Sequence, residues 1–338
     1  MAALLLAAGT LTVIAQGGSV DAYRSAVDAY VRDGDISRAV LPLQTWKEQQ
    51  FKDAVRDALA SKDLPRIEAT AVFELEIAVA LAGLTSTGSG MHLEFGADLI
   101  DKRRSLSTDL HRDSDALQAS WYAVAASAYV ATRDLNRARP LVEKARDLAP
   151  QSPRALTLMG SYYEADASML NADDFQTLSQ RERIKRERML RLVRAEGHYR
   201  EALRYDDHYA RALTRLGRVL HLNDHLPEAK TYLEQAVRAA KLPGDQYLAS
   251  LFIGALQVDQ KDLSAARASY ERALVIMPAS QTAMVALGHL EIMAGRPDRA
   301  QLLARRFTET PAEPWWGYKD GSFDMIGLEA LRARVVRR

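Results

Sequence analysis

The sequence predicts an all-α chain built as a stack of helical hairpins. One observation is a pattern of small and large apolar residues in Gln246–Ser280, carried by Ile253, Gly254, Ala266, Tyr270, Ala273 and Pro278. A second is its return: Gly288 and Ala300 lie 34 residues after Gly254 and Ala266, with Leu287 in the place of Ile253. Leu216, Gly217, Ala229, Leu233 and Ala236 precede the same positions by 37 residues, the three extra residues falling in Lys241–Asp245. The third is agreement with two further copies, one marked by Tyr129, Ala138, Ala145 and Pro150. The other begins at Leu156, Gly160 and Tyr163 and finishes at Ala195, Tyr199 and Ala202. A period held over five copies describes units that bury their apolar faces against one another.

Each position has a physical reason. Gly254 and Ala266 carry little or no side chain, so two helix backbones can approach there while Ile253, Tyr270 and Leu274 fill the space beside them. Pro278 stops the second helix because it has no amide hydrogen to donate. This order of residues resembles the tetratricopeptide repeat, a helix–turn–helix unit whose helices pack antiparallel. The resemblance covers Asp113–Thr310 well and Val20–Lys102 poorly. It implies a right-handed superhelical solenoid in which the first helix of each repeat lines the concave surface, and a role in binding protein.

Composition narrows the function classes. Hydrophobic residues make up 48% of 338, enough for a continuous core, and 11 prolines with 18 glycines speak against long disordered tracts. A net charge of +1 offers no global attraction to nucleic acid or anionic lipid. The absence of cysteine removes disulfides, thiolate metal sites and cysteine nucleophiles together.

Taken in order, residues 1–15 (MAALLLAAGTLTVIA) read as the hydrophobic region of a signal peptide, with Val13 and Ala15 before a cut ahead of Gln16. The run is too short for a stable membrane span. The protein is therefore expected to be exported, periplasmic or extracellular; a short buried helix in a cytoplasmic protein is the alternative. Residues 16–112 read as degenerate helical hairpins: Tyr23, Tyr30 and Ala39 with a turn at Asp33–Asp35, a helix over Leu64–Leu84, a loop at Thr85–Gly90 and a helix over Met91–Lys102. Residues 113–310 form the repeat array. Within it, 164–194 is an insertion, since Gly160 to Ala195 spans 35 residues where Gly254 to Ala266 spans 12. Two overlong helices joined at Asn171–Asp174 would carry it as a finger of roughly 17 Å. Residues 311–338 supply a Trp-containing loop and an amphipathic capping helix over Phe323–Val336, suited to cover the open end of the array. The ending PWW-x-Y-x-x-G before that helix looks like the tails of uncharacterised exported bacterial tetratricopeptide proteins.

Few residues point to chemistry. His221 and His225 have the spacing of a helical metal pair, but Asn223-Asp224 reads as the turn between helices, so the imidazoles need not share a face, and a solvated turn is expected. Arg181, Arg183, Lys185, Arg186, Arg188, Arg191 and Arg194 make a basic run, interrupted by Glu182 and Glu187 and lacking aromatics for base stacking, so a solvated helix face is expected rather than a nucleic-acid site. Trp315 and Trp316 read as a clamp for the C-terminal loop, with an exposed recognition patch as the alternative. No phosphate loop, nucleophile elbow or dinucleotide fingerprint is present.

The sequence therefore points to a non-enzymatic scaffold or adaptor with no cofactor and no metal. Its partner is a protein or peptide that carries acidic residues beside a hydrophobic anchor. The resemblance places the site on the first helices: Arg211, Thr214, Arg215, Arg218 and His221, then Leu248, Leu251, Phe252, Ala255 and Val258, then His289 and Met293. Phe252 is the expected anchor, unless Leu251 and Phe252 pack inside the array. Inward asparagines of the family's carboxylate-clamp members are missing, so capture of a chaperone's C-terminus is not expected. The alternatives are a constitutive structural subunit of a bacterial envelope or secretion assembly and, through the histidines alone, a metal-dependent hydrolase.

Overall fold

The computed structural model describes residues 48–67, scattered positions between 69 and 130, and 133–309 apart from 171, 242 and 279. The expected signal at Met1–Ala15, the turn at Asp33–Asp35, the loop at Thr85–Gly90, Trp315 and Trp316, and the capping helix at Phe323–Val336 lie outside the described residues. The chain divides into two compact units, Met1–Pro150 and Gln151–Arg338.

In the first unit, α1 (Glu48–Ala60) and α2 (Leu135–Leu148) are the described helices with continuous bounds. A small core gathers Val55, Ala58, Ile67, Ala71, Leu99 and Ala125, with Tyr122, Tyr129 and Leu141 packed at its edge. Asp134 caps α2 by accepting the amide hydrogen of Arg137 at 3.2 Å.

The second unit is a run of antiparallel hairpins: α3 (Pro153–Ser168) with α4 (Leu178–Tyr205), α5 (Ala210–Leu222) with α6 (Leu226–Ala239), α7 (Pro243–Asp259) with α8 (Leu263–Ile276), and α9 (Gln281–Met293) with α10 (Pro297–Glu309). This is a helical solenoid. Each hairpin also packs on the next through its second helix and the following first helix. Successive first helices approach closely (α3 on α5, α5 on α7, α7 on α9), whereas the second helices α4 and α6 stand further apart and meet through the long Arg200 side chain, which reaches Glu228 at 2.6 Å and the Tyr232 hydroxyl at 3.1 Å. The first-helix layer is thus the tighter side of the stack.

The glycines sit where the backbones approach. A Cβ built on Gly217 would fall 2.6 Å from Leu233 Cγ, and one on Gly254 would fall 2.6 Å from Tyr270 Cε1. On Gly160 it would sit closer still to the Tyr199 ring. The space beside Gly254 is therefore filled by a tyrosine ring from the second helix, with Ala266 fully buried nearby in the same core.

Helix ends follow from local chemistry. Ser152, Thr177, Asp262 and Ser280 each accept an amide hydrogen from the third residue of the helix they precede, and Pro153 occupies the first turn of α3, where its missing donor costs nothing. At the tight turns α5–α6, α7–α8 and α9–α10, one residue adopts the left-handed region: Asp224, Lys261 and Gly295, with φ of 63°, 62° and 71°. The next amide then reaches back five residues, His225 to Leu220, Asp262 to Gln257 and Arg296 to Glu291, at 2.8 to 2.9 Å, closing the preceding helix.

The insertion differs from expectation in how it is built. It is not shared between two overlong helices: α3 ends at Ser168, a 3-10 turn covers Ala172–Asp174, and α4 alone runs for 28 residues. An ion pair between the two helices joins Asp166, near the end of α3, to Arg191 at 2.6 Å. Residues 178–190 of α4 lie beyond it. The polar stretch at 171–174 has no apolar period to continue α3, whereas Ile184, Leu192, Ala195, Tyr199 and Ala202 give α4 one continuous buried side.

Candidate partner-binding face

The first helices α3, α5, α7 and α9 present the face on which the sequence places a partner, and its centre is a buried charge cluster. Glu164, on α3, has a side chain only 3% exposed. Its Oε1 lies 3.2 Å from Arg215 Nη1 and 3.1 Å from Arg218 Nη1, both on α5. Its Oε2 accepts the Tyr199 hydroxyl at 2.7 Å. Burial, with the Glu164 charge beside it, pushes the Tyr199 phenol well above the ordinary tyrosine value, so at neutral pH it is a donor. Arg218 is itself 2% exposed, its guanidinium 4.6 Å from the centre of the Phe252 ring on α7. A carboxylate, two guanidiniums, a phenol and an aromatic face thus tie three hairpins together.

Two further arginines, Arg211 and Arg154, stand beside this centre. Arg211, half-exposed in the first turn of α5, reaches Asp245 in the first turn of α7 at 2.9 Å. Arg154 stands at the corresponding position of α3, 57 residues earlier, and none of the described carboxylates lies within salt-bridge distance of it. Burial lowers its pKa from the usual value, and the neighbouring Arg211 charge adds to the fall. Arg215 and Arg218 thus pair with Glu164, and Arg211 with Asp245.

The other sequence-predicted residues separate into surface and interior. His221 is partly exposed in the last turn of α5 and lies 2.6 Å from Asp259 at the end of α7. His225 is the residue before α6, so the two histidines stand on either side of a turn rather than on one helix. Thr214 is buried, its hydroxyl bonded to the Ala210 carbonyl at 2.7 Å. Leu248, Ala255 and Val258 are partly exposed, and His289 and Met293 are exposed. Leu251 and Phe252 are buried in the core, so the expected anchor Phe252 offers no free face here: the Arg218 guanidinium from the preceding hairpin covers its ring. The apolar surface that remains is made by Leu248, Val258 and Met293.

Glu164, Tyr199 and Arg154 were not singled out by sequence reasoning. Glu164 and Arg154 occupy the repeat positions of His221 and Arg211, so the register held the signal. Tyr199 was recognised as a packing residue, and its second role as a donor to a buried carboxylate was missed. A second buried carboxylate, Glu291 on α9, pairs with Arg267 of α8 and with Arg296 at 2.6 Å; it also was not foreseen.

Among the described residues no helix is long and apolar enough to cross a membrane. The family model of the tetratricopeptide repeat matches residues 210–241, which is α5, the turn at Asp224 and α6. No curated protein matches the chain. Solved structures similar to it include PilF of Pseudomonas aeruginosa, 16% identical over 66% of this chain and 90% of that one, with a TM-score of 0.47. Another is a tetratricopeptide repeat protein of Thermus thermophilus, 15% identical over 66% of this chain and 99% of that one, TM-score 0.46. A third is PilW, a type IV pilus biogenesis factor, 18% identical over 65% and 93%, TM-score 0.45. Residues 210–241 thus match the tetratricopeptide-repeat family, and the hairpins on either side of them repeat the same antiparallel packing of neighbouring helices.

Proposed function

We propose that this protein is a non-enzymatic scaffold whose first-helix face holds an acidic segment of a partner protein. The observation that carries the reading is Arg154, which has none of the described carboxylates within salt-bridge distance, beside the half-exposed Arg211 on the same face. A partner carboxylate near Arg154 and Arg211 would complete the pairing, and such charge pairs set orientation and association rate. The apolar contact falls to Leu248, Val258 and Met293, in place of the buried Phe252.

The test is affinity purification of the full chain from its native host, with partners identified by mass spectrometry, beside the variant carrying Arg154→Glu and Arg211→Glu. Loss of a partner in the variant, with that partner's contact segment acidic, supports the reading; retention of every partner overturns it. Arg215→Glu is unsuited to this purpose, because it would set a second carboxylate against buried Glu164. Export remains part of the proposal on the composition of Met1–Ala15: protein recovered from its host should begin near Gln16.

A further inference from the structure

The outer side of α4 carries a second candidate surface. Met189, Leu190 and Val193 project to solvent from one side of the helix, Leu190 at 63% exposure. Val193 stands four residues from Met189 and three from Leu190, so the three form one stripe. Gly197 continues it one turn further. A Cβ there would meet nothing within 4 Å, unlike Gly160, Gly217 and Gly254, whose missing side chains make room for a neighbour in this chain. A glycine in a helix interior costs about 1 kcal/mol relative to alanine, and no packing among the described residues accounts for this one. The stripe is flanked by exposed Arg183 and Arg186, which have no carboxylate within salt-bridge distance among the described residues, and by Arg194, which lies over the Tyr163 ring.

We propose that this face docks an acidic amphipathic helix of a partner protein. The partner's apolar residues lie on Met189, Leu190 and Val193, its backbone approaches at Gly197, and its carboxylates meet Arg183, Arg186 and Arg194. The charge argues for that occupant over a second copy of this chain, since two such faces would oppose arginine to arginine.

The probe is a fluorescein-labelled synthetic peptide of about 20 residues, with leucines at helical spacing and glutamates beside them, titrated against the full chain. Leu190→Glu and Val193→Glu should each weaken binding by about tenfold or more. Gly197→Leu should do the same by filling the notch. Arg183→Gln with Arg186→Gln should flatten the salt dependence. A peptide of the same composition with its leucines scrambled should bind about tenfold more weakly or worse. The altered side chains are exposed, so thermal melts followed by circular dichroism should match the parent and separate lost binding from lost folding. The proposal fails if the peptide does not bind, or if binding survives Leu190→Glu and disappears with Arg211→Glu, which would move the peptide to the first-helix face. It also fails if ultracentrifugation shows self-association that Leu190→Glu abolishes, or if phosphatidylglycerol vesicles bind the chain when the peptide does not.

Discussion

The α3–α4 and α7–α8 hairpins solve the same packing problem with different chemistry. In each, a glycine of the first helix lies under a tyrosine of the second: Gly160 under Tyr199, Gly254 under Tyr270. The Tyr199 hydroxyl is bonded to Glu164 and reaches Ser161 at 3.4 Å, and the same carboxylate carries Arg215 and Arg218 from the next hairpin. At the position of Glu164, α7 has Val258, and the Tyr270 hydroxyl has no hydrogen-bond partner among the described residues. The shape of a repeat is thus independent of what links it to its neighbour. The α3–α4 hairpin is joined to the next through the carboxylate that its own tyrosine binds, whereas α7–α8 is joined through Arg267, which pairs with Glu291 of α9 away from the Tyr270 hydroxyl.

The sharpest way to test that difference is to remove the shared carboxylate. Glu164→Ala should cost about 3–5 kcal/mol, because buried guanidinium groups lose their counter-charge. Val258→Ala, at the equivalent place, should cost about 1 kcal/mol. Urea denaturation of both variants decides it, and equal losses would dissolve the distinction. Crowding comes next. Gly160→Ala should cost about 3 kcal/mol and Gly254→Ala about 1 kcal/mol, since the Tyr199 ring is tethered by its hydroxyl and cannot swing aside. A larger loss at Gly254 would reverse the comparison. Tyr199→Phe should then lower stability by about 2 kcal/mol, the value of a buried hydrogen bond to a charged acceptor, and Tyr270→Phe by much less. The smallest effect lies at the tight turn of the second hairpin. Lys261→Gly should raise stability by about 0.5 kcal/mol, relief of the left-handed backbone being partly offset by glycine's freedom in the unfolded chain. A lower melting temperature for that variant would show that the Lys261 side chain stabilises the turn.

The hairpin stack was legible because its signal is local and repeated: Gly217 and Gly254 reported a close approach, and Asn223-Asp224 reported a turn, without knowledge of anything distant. The cluster was not. Glu164 and Arg215 are 51 residues apart, and their meeting depends on how α3 and α5 stack, which no local pattern states. The insertion between Gly160 and Ala195 also hid the equivalence of Glu164 with His221. Phe252 shows the same limit. Its register position faces the first-helix side, as expected, but a long arginine from the preceding hairpin lies over its ring and makes it part of the floor.

The length of α4 has a bearing on how such a chain can change. It is 28 residues against 14 for α6, and the excess is close to four whole turns at about 3.6 residues each. Ile184 and Ala202, both buried, are separated by five turns and so share one azimuth. Added in whole turns, sequence lengthens a helix without rotating the residues after it, and Tyr199 meets Gly160 in the same phase as it would in a short repeat. A solenoid can therefore acquire new surface at one unit while every later contact stays in step, and an insertion out of phase by one or two residues would turn Tyr199 away from Glu164 and break the cluster at its source.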